Sequence, residues 1–408
     1  MSYKIIEKGG ITSPKGFKAG AAYTAIKKKE NKKPDVAVIF SECEASVAAM
    51  FTTNLFCAAP VVVGRELVKG GKARAVVINS GNANAATGEK GIENVKKEQE
   101  EAAKLLGIDK NEVLVSSTGV IGQQLPLEKV VDGLNQIIPD NLSKEHGTDA
   151  AYAIMTTDTV RKEGAMELEL SGGTVTIGAM SKGSGMIHPS LATMLVYITT
   201  DAKVAPEILH KCLKNSVDKS FNMLTVDGDT STNDSIIMLA NGASGVEIKN
   251  EEDIEAFAGL VDAICLDFAK RIASDGEGAS HLMIVEAKNL PTYEDARLVA
   301  RSIAGSNLLK CAVFGRDANW GRIMAAAGYS GAKFDISKSD CIIESKAGKV
   351  VVMEGGFGTD FDEEKATAVL TEHDITITVD FHDGDYNATA FGCDLTYDYV
   401  KINGDYRS

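Results

Sequence analysis

One strand–helix–strand segment constrains the fold more than any other feature of the sequence. The runs ARAVVIN at residues 73–79 and EVLVSS at residues 112–117 are rich in β-branched residues and predict strands. Between them, residues 87–107 predict an amphipathic helix that ends at Gly107. Its apolar residues recur on one helical face, namely Ile92, Val95, Ala102, Ala103 and Leu106. This alternation of strands and helices predicts an α/β fold.

The rest of the chain extends this pattern and then changes character. DVAVIF at residues 35–40 predicts another strand, and residues 206–221 and 251–272 predict two more helices. After residues 288–306 the sequence consists largely of short strands and turns, and we place a domain boundary near residues 289–291. We therefore predict a domain of residues 1–288 and a smaller α+β domain of residues 289–408.

Composition and charge exclude several classes of protein. The 408 residues are 44% hydrophobic and 25% charged, as in soluble globular proteins. A net charge of −14 argues against nucleic acid or an anionic membrane as a partner. The 7 cysteines are scattered without a CxxC pair, which favours reduced thiols. Since the chain also lacks a signal-peptide pattern and any apolar run of membrane-spanning length, we predict a cytoplasmic protein.

The common motifs of cofactor and metal chemistry are missing from the sequence. The 6 histidines show no HxxxH, HxH or HExxH spacing, so no metal site is predicted. The segment INSGNANAATGEKG follows a strand and precedes a helix, as phosphate-binding loops do, but it lacks the GxxxxGK[ST] and GxGxxG patterns. No GxSxG nucleophile motif is present either.

A glycine-rich segment leads directly into an apolar run. SKGSGMIHPSLATML spans residues 181–195, and the apolar run covers residues 191–198. The simple interpretation is a buried strand, because threonines often occupy strands for structural reasons. The alternative is self-cleavage, in which Thr193 Oγ attacks the Ala192 carbonyl and the resulting ester is hydrolysed. The exposed α-amine of Thr193, with an ordinary pKa of about 7.7–8.0, would then be a general base for the threonine hydroxyl.

Several blocks of sequence favour the second interpretation. They are SPKGFKAG, SECEASVAAMFTTNLFCAAPVVVGRE, INSGNANAATG, VSSTGVIG, MTTDT, SKGSGMIHPSLATML, DGDTSTND, GRDANWGRI and YVKINGDYRS. Together they make the chain resemble, from end to end, the ornithine acetyltransferase (glutamate N-acetyltransferase) family of arginine biosynthesis. That family belongs to a self-processing N-terminal-nucleophile superfamily that also contains certain β-aminopeptidases.

The resemblance implies a role for individual residues. Thr193 matches the nucleophile exposed by cleavage after Ala192, which would give mature chains of residues 1–192 and 193–408. Thr118 and Gly119 match the oxyanion-hole pair. The matching substrate-binding positions are Thr157, Lys182, Thr193, Glu277, Asn403 and Ser408. Among these, Lys182 suits a substrate carboxylate and Glu277 suits the ammonium group of ornithine.

The resemblance also implies a fold and a reaction. The fold is a layered α-β-β-α sandwich with a smaller C-terminal domain. The reaction is ping-pong transfer of acetyl from N2-acetylornithine to glutamate through an acetyl-Thr193 ester, with no metal or cofactor. The implied assembly is a heterotetramer of two alpha and two beta chains, with neither nucleic acid nor membrane as a partner.

Three questions stay open on the sequence alone. Acetyl-CoA could be a second acetyl donor, which would make the enzyme bifunctional. Water could resolve the acyl-enzyme, which would make the protein an N-terminal-nucleophile aminopeptidase or amidohydrolase. An intact chain would instead favour a non-processed protein that binds a small molecule.

Overall fold

The computed structural model describes residues 3–27, 32–188 and 194–405. Three residues with predicted roles, Ala192, Thr193 and Ser408, lie outside the described residues. Six others lie within them: Thr118, Gly119, Thr157, Lys182, Glu277 and Asn403.

Strands and helices alternate along the described part of the chain. The strands are β1 (Lys4–Ile5), β2 (Phe17–Ala22), β3 (Val36–Ser41), β4 (Ser46–Phe51), β5 (Ala75–Asn82), β6 (Val113–Val120), β7 (Lys162–Leu170), β8 (Gly173–Lys182), β9 (Leu195–Thr200), β10 (Lys203–Val204), β11 (Ser235–Ala240), β12 (Glu247–Ile248), β13 (Leu282–Leu290), β14 (Asp340–Ser345), β15 (Gly348–Glu354), β16 (Phe357–Gly358), β17 (Asp374–Asp380) and β18 (Tyr386–Cys393). The α-helices are α1 (Ala59–Leu67), α2 (Gly88–Leu106), α3 (Leu127–Ile137), α4 (Gly147–Ala153), α5 (Pro206–Lys219), α6 (Glu251–Ser274), α7 (Tyr293–Ala304), α8 (Asn307–Phe314), α9 (Trp320–Gly328), α10 (Glu363–Leu370) and α11 (Tyr397–Asp405).

The secondary structure confirms the elements predicted from periodicity. Strands β3, β5 and β6 and helices α2, α5 and α6 lie where the sequence predicts them. Helix α2 ends at Gly107, whose φ of 67° is left-handed and whose N–H donates to the Ala103 carbonyl. Glycine enters this conformation without a Cβ penalty, so it ends the helix cleanly.

Two sheets form the centre of the molecule. The first has the strand order β1-β7-β8-β9-β11-β4, and the second has the order β2-β3-β5-β6. Alternate side chains of β9 point to opposite faces of the first sheet, as the pleat requires. Leu195 and Tyr197 share a core with Ile39 and Ile78 of the second sheet. This shared core packs the two sheets face to face.

Helices cover the outer face of each sheet. Val196 and Ile198, on the other face of β9, share a core with residues of α5 and α6 that include Leu213 and Phe268. On the second sheet, the outer face packs against α2 and α3 through a further core that contains Val95. The four layers confirm the predicted α-β-β-α sandwich.

A third sheet carries the C-terminal part of the chain. Its strand order is β16-β15-β14-β17-β13-β18, and β10 and β12 form a separate parallel pair. The predicted domain boundary at residue 289 falls inside β13, which pairs with β17 and β18 over most of its length. The division into two domains stays a prediction, and the pairing of β13 favours a boundary before Leu282.

In the described part of the chain, no helix combines the length and the apolar character that a bilayer span requires.

Phe268→Ala is expected to lower the free energy of unfolding by about 3–5 kcal/mol, because it removes a ring from a closely packed core. Phe268 is only 1% exposed on α6, among side chains from the first sheet. Glu255→Ala, at an exposed position of the same helix, is the control and should change the stability by less than about 0.5 kcal/mol. Urea denaturation measures both values, and equal losses in the two variants would contradict the assigned core.

Candidate active site

A cleft of about 310 Å³ collects the six predicted site residues that the structure describes. They come from distant parts of the sequence: the end of β6, the loop before β7, the end of β8, the loop after α6, and α11. The complete lining is Thr118, Gly119, Ile121, Thr156, Thr157, Lys182, Gly185, Met186, Ser231, Thr232, Asn233, Glu277 and Asn403. Such convergence of polar groups in one concave region is typical of a ligand site.

The end of β6 forms one wall of the cleft. Thr118 is 5% exposed, and Gly119 has a φ of 132°, a conformation that residues with a Cβ rarely adopt. A Cβ built on Gly119 would lie 2.4 Å from the carbonyl carbon of Gly81 on β5. Because that neighbour is backbone, only glycine fits here. The pair brings a hydroxyl and a glycine peptide group to this wall.

Lys182 ends β8 and provides a positive charge to the cleft. Its side chain is nearly buried, at 3% exposure for the residue. Within the described ranges, it makes neither a hydrogen bond nor a salt bridge through its ammonium group. The nearby Asp158 carboxylate interacts with this charge but does not bond to the ammonium, so the cleft is suited to an anionic group that does.

A buried ionic cluster lies next to Lys182. Lys162 Nζ donates to Asp158 Oδ1 at 2.8 Å and also to Asp275 Oδ2. The three side chains are between 0% and 3% exposed. Burial alone would raise the pKa of Asp158, but the charges of Lys182 and Lys162 hold it at about 2. Asp158 is therefore ionised under all ordinary conditions.

The same cluster fixes the backbone around the cleft. Asp158 Oδ1 accepts from the Gly183 N–H at 2.7 Å, next to Lys182. Its Oδ2 accepts from the Thr156 N–H at 3.1 Å. Ser184 Oγ donates to the Asp275 carbonyl at 2.7 Å. Segments that carry Thr157, Lys182 and Glu277 are thus joined to one charged centre.

Glu277 and Asn403 meet in the same cleft. Asn403 Nδ2 donates to Glu277 Oε2 at 2.9 Å, and the Glu277 N–H donates to the Ser184 carbonyl at 2.9 Å. A Cβ built on Gly185 would lie 2.3 Å from Glu277 Oε2 and would displace the carboxylate. Glycine at residue 185 therefore allows Glu277 to reach this position.

Sequence reasoning assigned no role to several residues of the lining, among them Ser231, Thr232 and Asn233. Asn233 is 6% exposed, and its Nδ2 donates to the carbonyls of Ala83 at 2.6 Å and Ser117 at 2.8 Å. It thereby holds the residue that precedes Thr118. The available signal was the block DGDTSTND, which identified the family without indicating which of its residues line a cleft.

The 7 cysteines are free thiols. Among residues 3–27, 32–188 and 194–405, no three His, Cys, Asp or Glu side chains are arranged to hold a metal ion. The cleft itself presents hydroxyl, amide, ammonium and carboxylate groups.

Comparison with known proteins identifies the family. The sequence profile of the ArgJ family matches residues 18–408. The chain belongs to the ArgJ family. It is 49% identical over 402 residues to the arginine biosynthesis bifunctional protein ArgJ of Caldanaerobacter subterraneus, covering 98% of this chain and 99% of that protein. Its identity to the protein of the same name from Symbiobacterium thermophilum is 50% over 402 residues, with coverage of 98% and 99%.

One solved structure among the matches is ornithine acetyltransferase from Mycobacterium tuberculosis, complexed with ornithine. It is 35% identical, covers 47% of this chain and 100% of that chain, and has a TM-score of 0.43. The ArgJ assignment itself rests on the sequence matches. Membership of the ArgJ family confirms the resemblance recognised in the sequence blocks. It also confirms the predicted place of this chain among the acetyltransferases of arginine biosynthesis.

Lys162→Met is expected to destabilise this ArgJ chain by about 3–5 kcal/mol, since it leaves two buried carboxylates without their cation. Lys214→Met is the matched control, because Lys214 also pairs with an aspartate four residues away but is 53% exposed. The control should lose less than about 1 kcal/mol. Urea denaturation at pH 7 measures both values, and similar small losses would show that the cluster contributes little.

The wild-type protein should also lose stability in acid through Asp158. Its pKa in the folded protein, about 2, lies below the ordinary value of 3.8. The ionised carboxylate therefore stabilises the fold above about pH 4, and this contribution is lost as the pH falls toward 2. In Lys162→Met the decline should be shallower over the same range, which urea denaturation between pH 2 and 5 can measure.

Proposed function

We propose that this protein transfers an acetyl group from N2-acetylornithine to glutamate, giving ornithine and N-acetylglutamate. The observation that carries the proposal is the charge arrangement in one cleft: Lys182, which makes no salt bridge within the described residues, and the Glu277 carboxylate held by Asn403. An amino acid with a cationic side chain carries the complementary charges. The names of both relatives, which describe arginine biosynthesis bifunctional proteins, support the same reaction.

Thr193 is the proposed nucleophile, freed by cleavage after Ala192 into chains of residues 1–192 and 193–408. The support is its place in the sequence, since the next residue, Met194, is 1% exposed and β9 follows at Leu195. Every residue of β9 is buried. A nucleophile joined to such a strand would be held firmly by the core, as precise attack requires.

The proposed first half-reaction forms an acetyl-enzyme. The Thr193 α-amine takes the proton of Oγ as Oγ attacks the acetyl carbonyl of N2-acetylornithine. Thr118 and Gly119 would stabilise the oxyanion of the tetrahedral intermediate, because a hydroxyl and a peptide N–H suit its negative charge. The C–N bond then breaks, the proton passes to the leaving nitrogen, and ornithine departs from an acetyl-Thr193 ester.

In the second half-reaction glutamate supplies the attacking amine, and Thr193 Oγ is the leaving group. The α-amino group of glutamate attacks the ester carbonyl, the C–O bond breaks, and Thr193 Oγ recovers a proton. Lys182 would bind the α-carboxylate that both substrates share. Glu277 would bind the side-chain ammonium of ornithine, which glutamate lacks. Thr157, Asn403 and Ser408 are the remaining proposed contacts.

Three further properties belong to the proposal. The word bifunctional in the relatives' names supports acetyl-CoA as a second acetyl donor to glutamate. The two chains produced by cleavage would assemble as a heterotetramer of two alpha and two beta chains. The free thiols support a reducing, cytoplasmic location.

Thr193→Ala is expected to abolish both cleavage and acetyl transfer, whereas Thr193→Ser should keep part of each because it retains the hydroxyl. Denaturing gels and N-terminal sequencing check the outcome, and the C-terminal fragment of the wild type should begin Thr-Met-Leu-Val. Thr174→Ala, at an exposed strand position, should be cleaved like the wild type. Normal cleavage of Thr193→Ala would show that the Thr193 hydroxyl takes no part in the cleavage.

Lys182→Ala should slow both half-reactions, and Glu277→Ala should slow acetylation by N2-acetylornithine more than discharge by glutamate. Loss of one partner of a buried charge pair costs about 2–5 kcal/mol, so each defect should exceed about tenfold. Rapid-quench measurements follow the acetyl-enzyme in each step. Lys401→Ala, an exposed lysine of α11, is the control for loss of charge.

The same experiment separates the rival functions. Discharge of the acetyl-enzyme at an equal rate with and without glutamate would indicate a hydrolase. Equal, small effects of Glu277→Ala on the two steps would contradict its role with ornithine.

A further inference from the structure

Asp227 binds the backbone on the N-terminal side of the proposed cleavage site. Its Oδ2 accepts from the Met186 N–H at 2.6 Å and its Oδ1 accepts from the Ile187 N–H at 2.8 Å. The Tyr399 hydroxyl of α11 also donates to Oδ2, at 3.3 Å. Both carboxylate oxygens are therefore used as acceptors, which a neutral amide could not reproduce.

Asp234 binds the backbone on the C-terminal side. Its Oδ1 accepts from the Met194 N–H at 3.0 Å, and the Ser235 N–H donates to the Met194 carbonyl at 3.2 Å. The residue has 0% exposure, and its Oδ2 has no hydrogen-bond partner among the described residues. Burial raises the pKa of Asp234 well above its ordinary value, so its neutral form is favoured.

The two acids belong to one loop of eight residues, 227–234, the block DGDTSTND. This loop therefore contacts both flanks of residues 188–193 directly. On the N-terminal flank, the Val226 N–H also donates to the Ile187 carbonyl at 2.8 Å. Met186 has a φ of 56°, a left-handed conformation that is unfavourable without glycine and is kept only where surrounding contacts hold it.

We infer that Asp227 and Asp234 are positioning residues for self-cleavage, which hold the two ends of the segment containing the Ala192–Thr193 bond. The inference rests on the proposed function, because that function supplies the cleavage reaction. Attack of a hydroxyl on the preceding carbonyl requires a bent backbone that a free peptide seldom adopts. Fixing both flanks reduces the conformations open to the segment between them.

The cleavage chemistry balances without a covalent role for either acid. Thr193 Oγ forms a bond to the Ala192 carbonyl carbon, the C–N bond breaks, and the hydroxyl proton moves to the released nitrogen. Water then hydrolyses the ester, giving the carboxylate of Ala192 and the free hydroxyl of Thr193. The acids act on the rate by holding Met186, Ile187 and Met194 in place.

The test is the rate of cleavage in newly made full-length protein, followed by a radiolabelled pulse of cell-free synthesis and denaturing gels. Asp227→Asn and Asp234→Ala should each slow cleavage at least tenfold, since each loses a backbone contact. Asp234→Asn should cleave within threefold of the wild type, because its amide oxygen can still accept from Met194. Asp229→Asn, at an exposed position of the same loop, is the matched control and should cleave normally.

Each substitution is also made in the Thr193→Ala chain, where melting temperatures of the uncleaved proteins report on folding alone. Melting temperatures close to that of the parent, together with slow cleavage, support the positioning role. Wild-type cleavage rates in both Asp227→Asn and Asp234→Ala would overturn it. Slow cleavage of Asp234→Asn would overturn it for Asp234 and indicate that its acid proton is needed.

These outcomes are distinct from failure of the proposed function. A wild-type chain that stays intact would overturn the proposed cleavage, and this inference with it. If the wild-type chain is cleaved before residue 193 and Asp227→Asn and Asp234→Ala are cleaved as fast, only the inference is overturned.

Discussion

Burial of β9 on both faces is the constraint on which the rest of the structure depends. Leu195 and Tyr197 join the core between the two sheets, while Val196 and Ile198 join the core beneath α5 and α6. A shift of one residue would exchange these two sets of side chains, so the register of the strand is strongly specified. The strand also pairs with β8 on one side and β11 on the other. Lys182 at the end of β8 and Asp234 before β11 are therefore fixed relative to the start of β9.

The charges around the cleft divide into a structural group and a group left for a ligand. Asp158, Lys162 and Asp275 satisfy one another with side chains between 0% and 3% exposed, and they bond to the backbone beside Thr157 and Lys182. A cation shared by two carboxylates cannot neutralise both, and the charge of Lys182 favours ionised Asp158 as well. Lys182 nevertheless has no direct partner in the described part of the chain. Its ammonium can thus meet a carboxylate without first breaking an internal salt bridge, which keeps the cost of binding low.

The parts of this structure that sequence predicts are those decided by short-range periodicity. The β-branched runs predict β3, β5 and β6, and the apolar face of α6 follows directly from helical spacing. The cleft depends instead on contacts between distant residues. Gly119 must be glycine because Gly81 of the neighbouring strand approaches it, and Lys162 can be buried because Asp275 lies 113 residues further along the chain. Neither reason is visible in a local pattern, and the resemblance to a family identified residues without explaining what holds them.

In the proposed self-cleavage, the loop at residues 227–234 would supply both rigidity and strain. The Asp234 contact at Met194 continues the rigid strand β9, whereas the Asp227 contacts keep Met186 in a left-handed conformation. If the whole segment were an ordinary strand, the Thr193 side chain would project from one face of the sheet, whereas the preceding carbonyl would point along the sheet toward a neighbouring strand. If the whole segment were free, the attacking geometry would be rare. Anchoring one flank in the core and bending the other from the same loop meets both requirements of the proposed cleavage, and it would leave the β9 flank in position after the bond is broken.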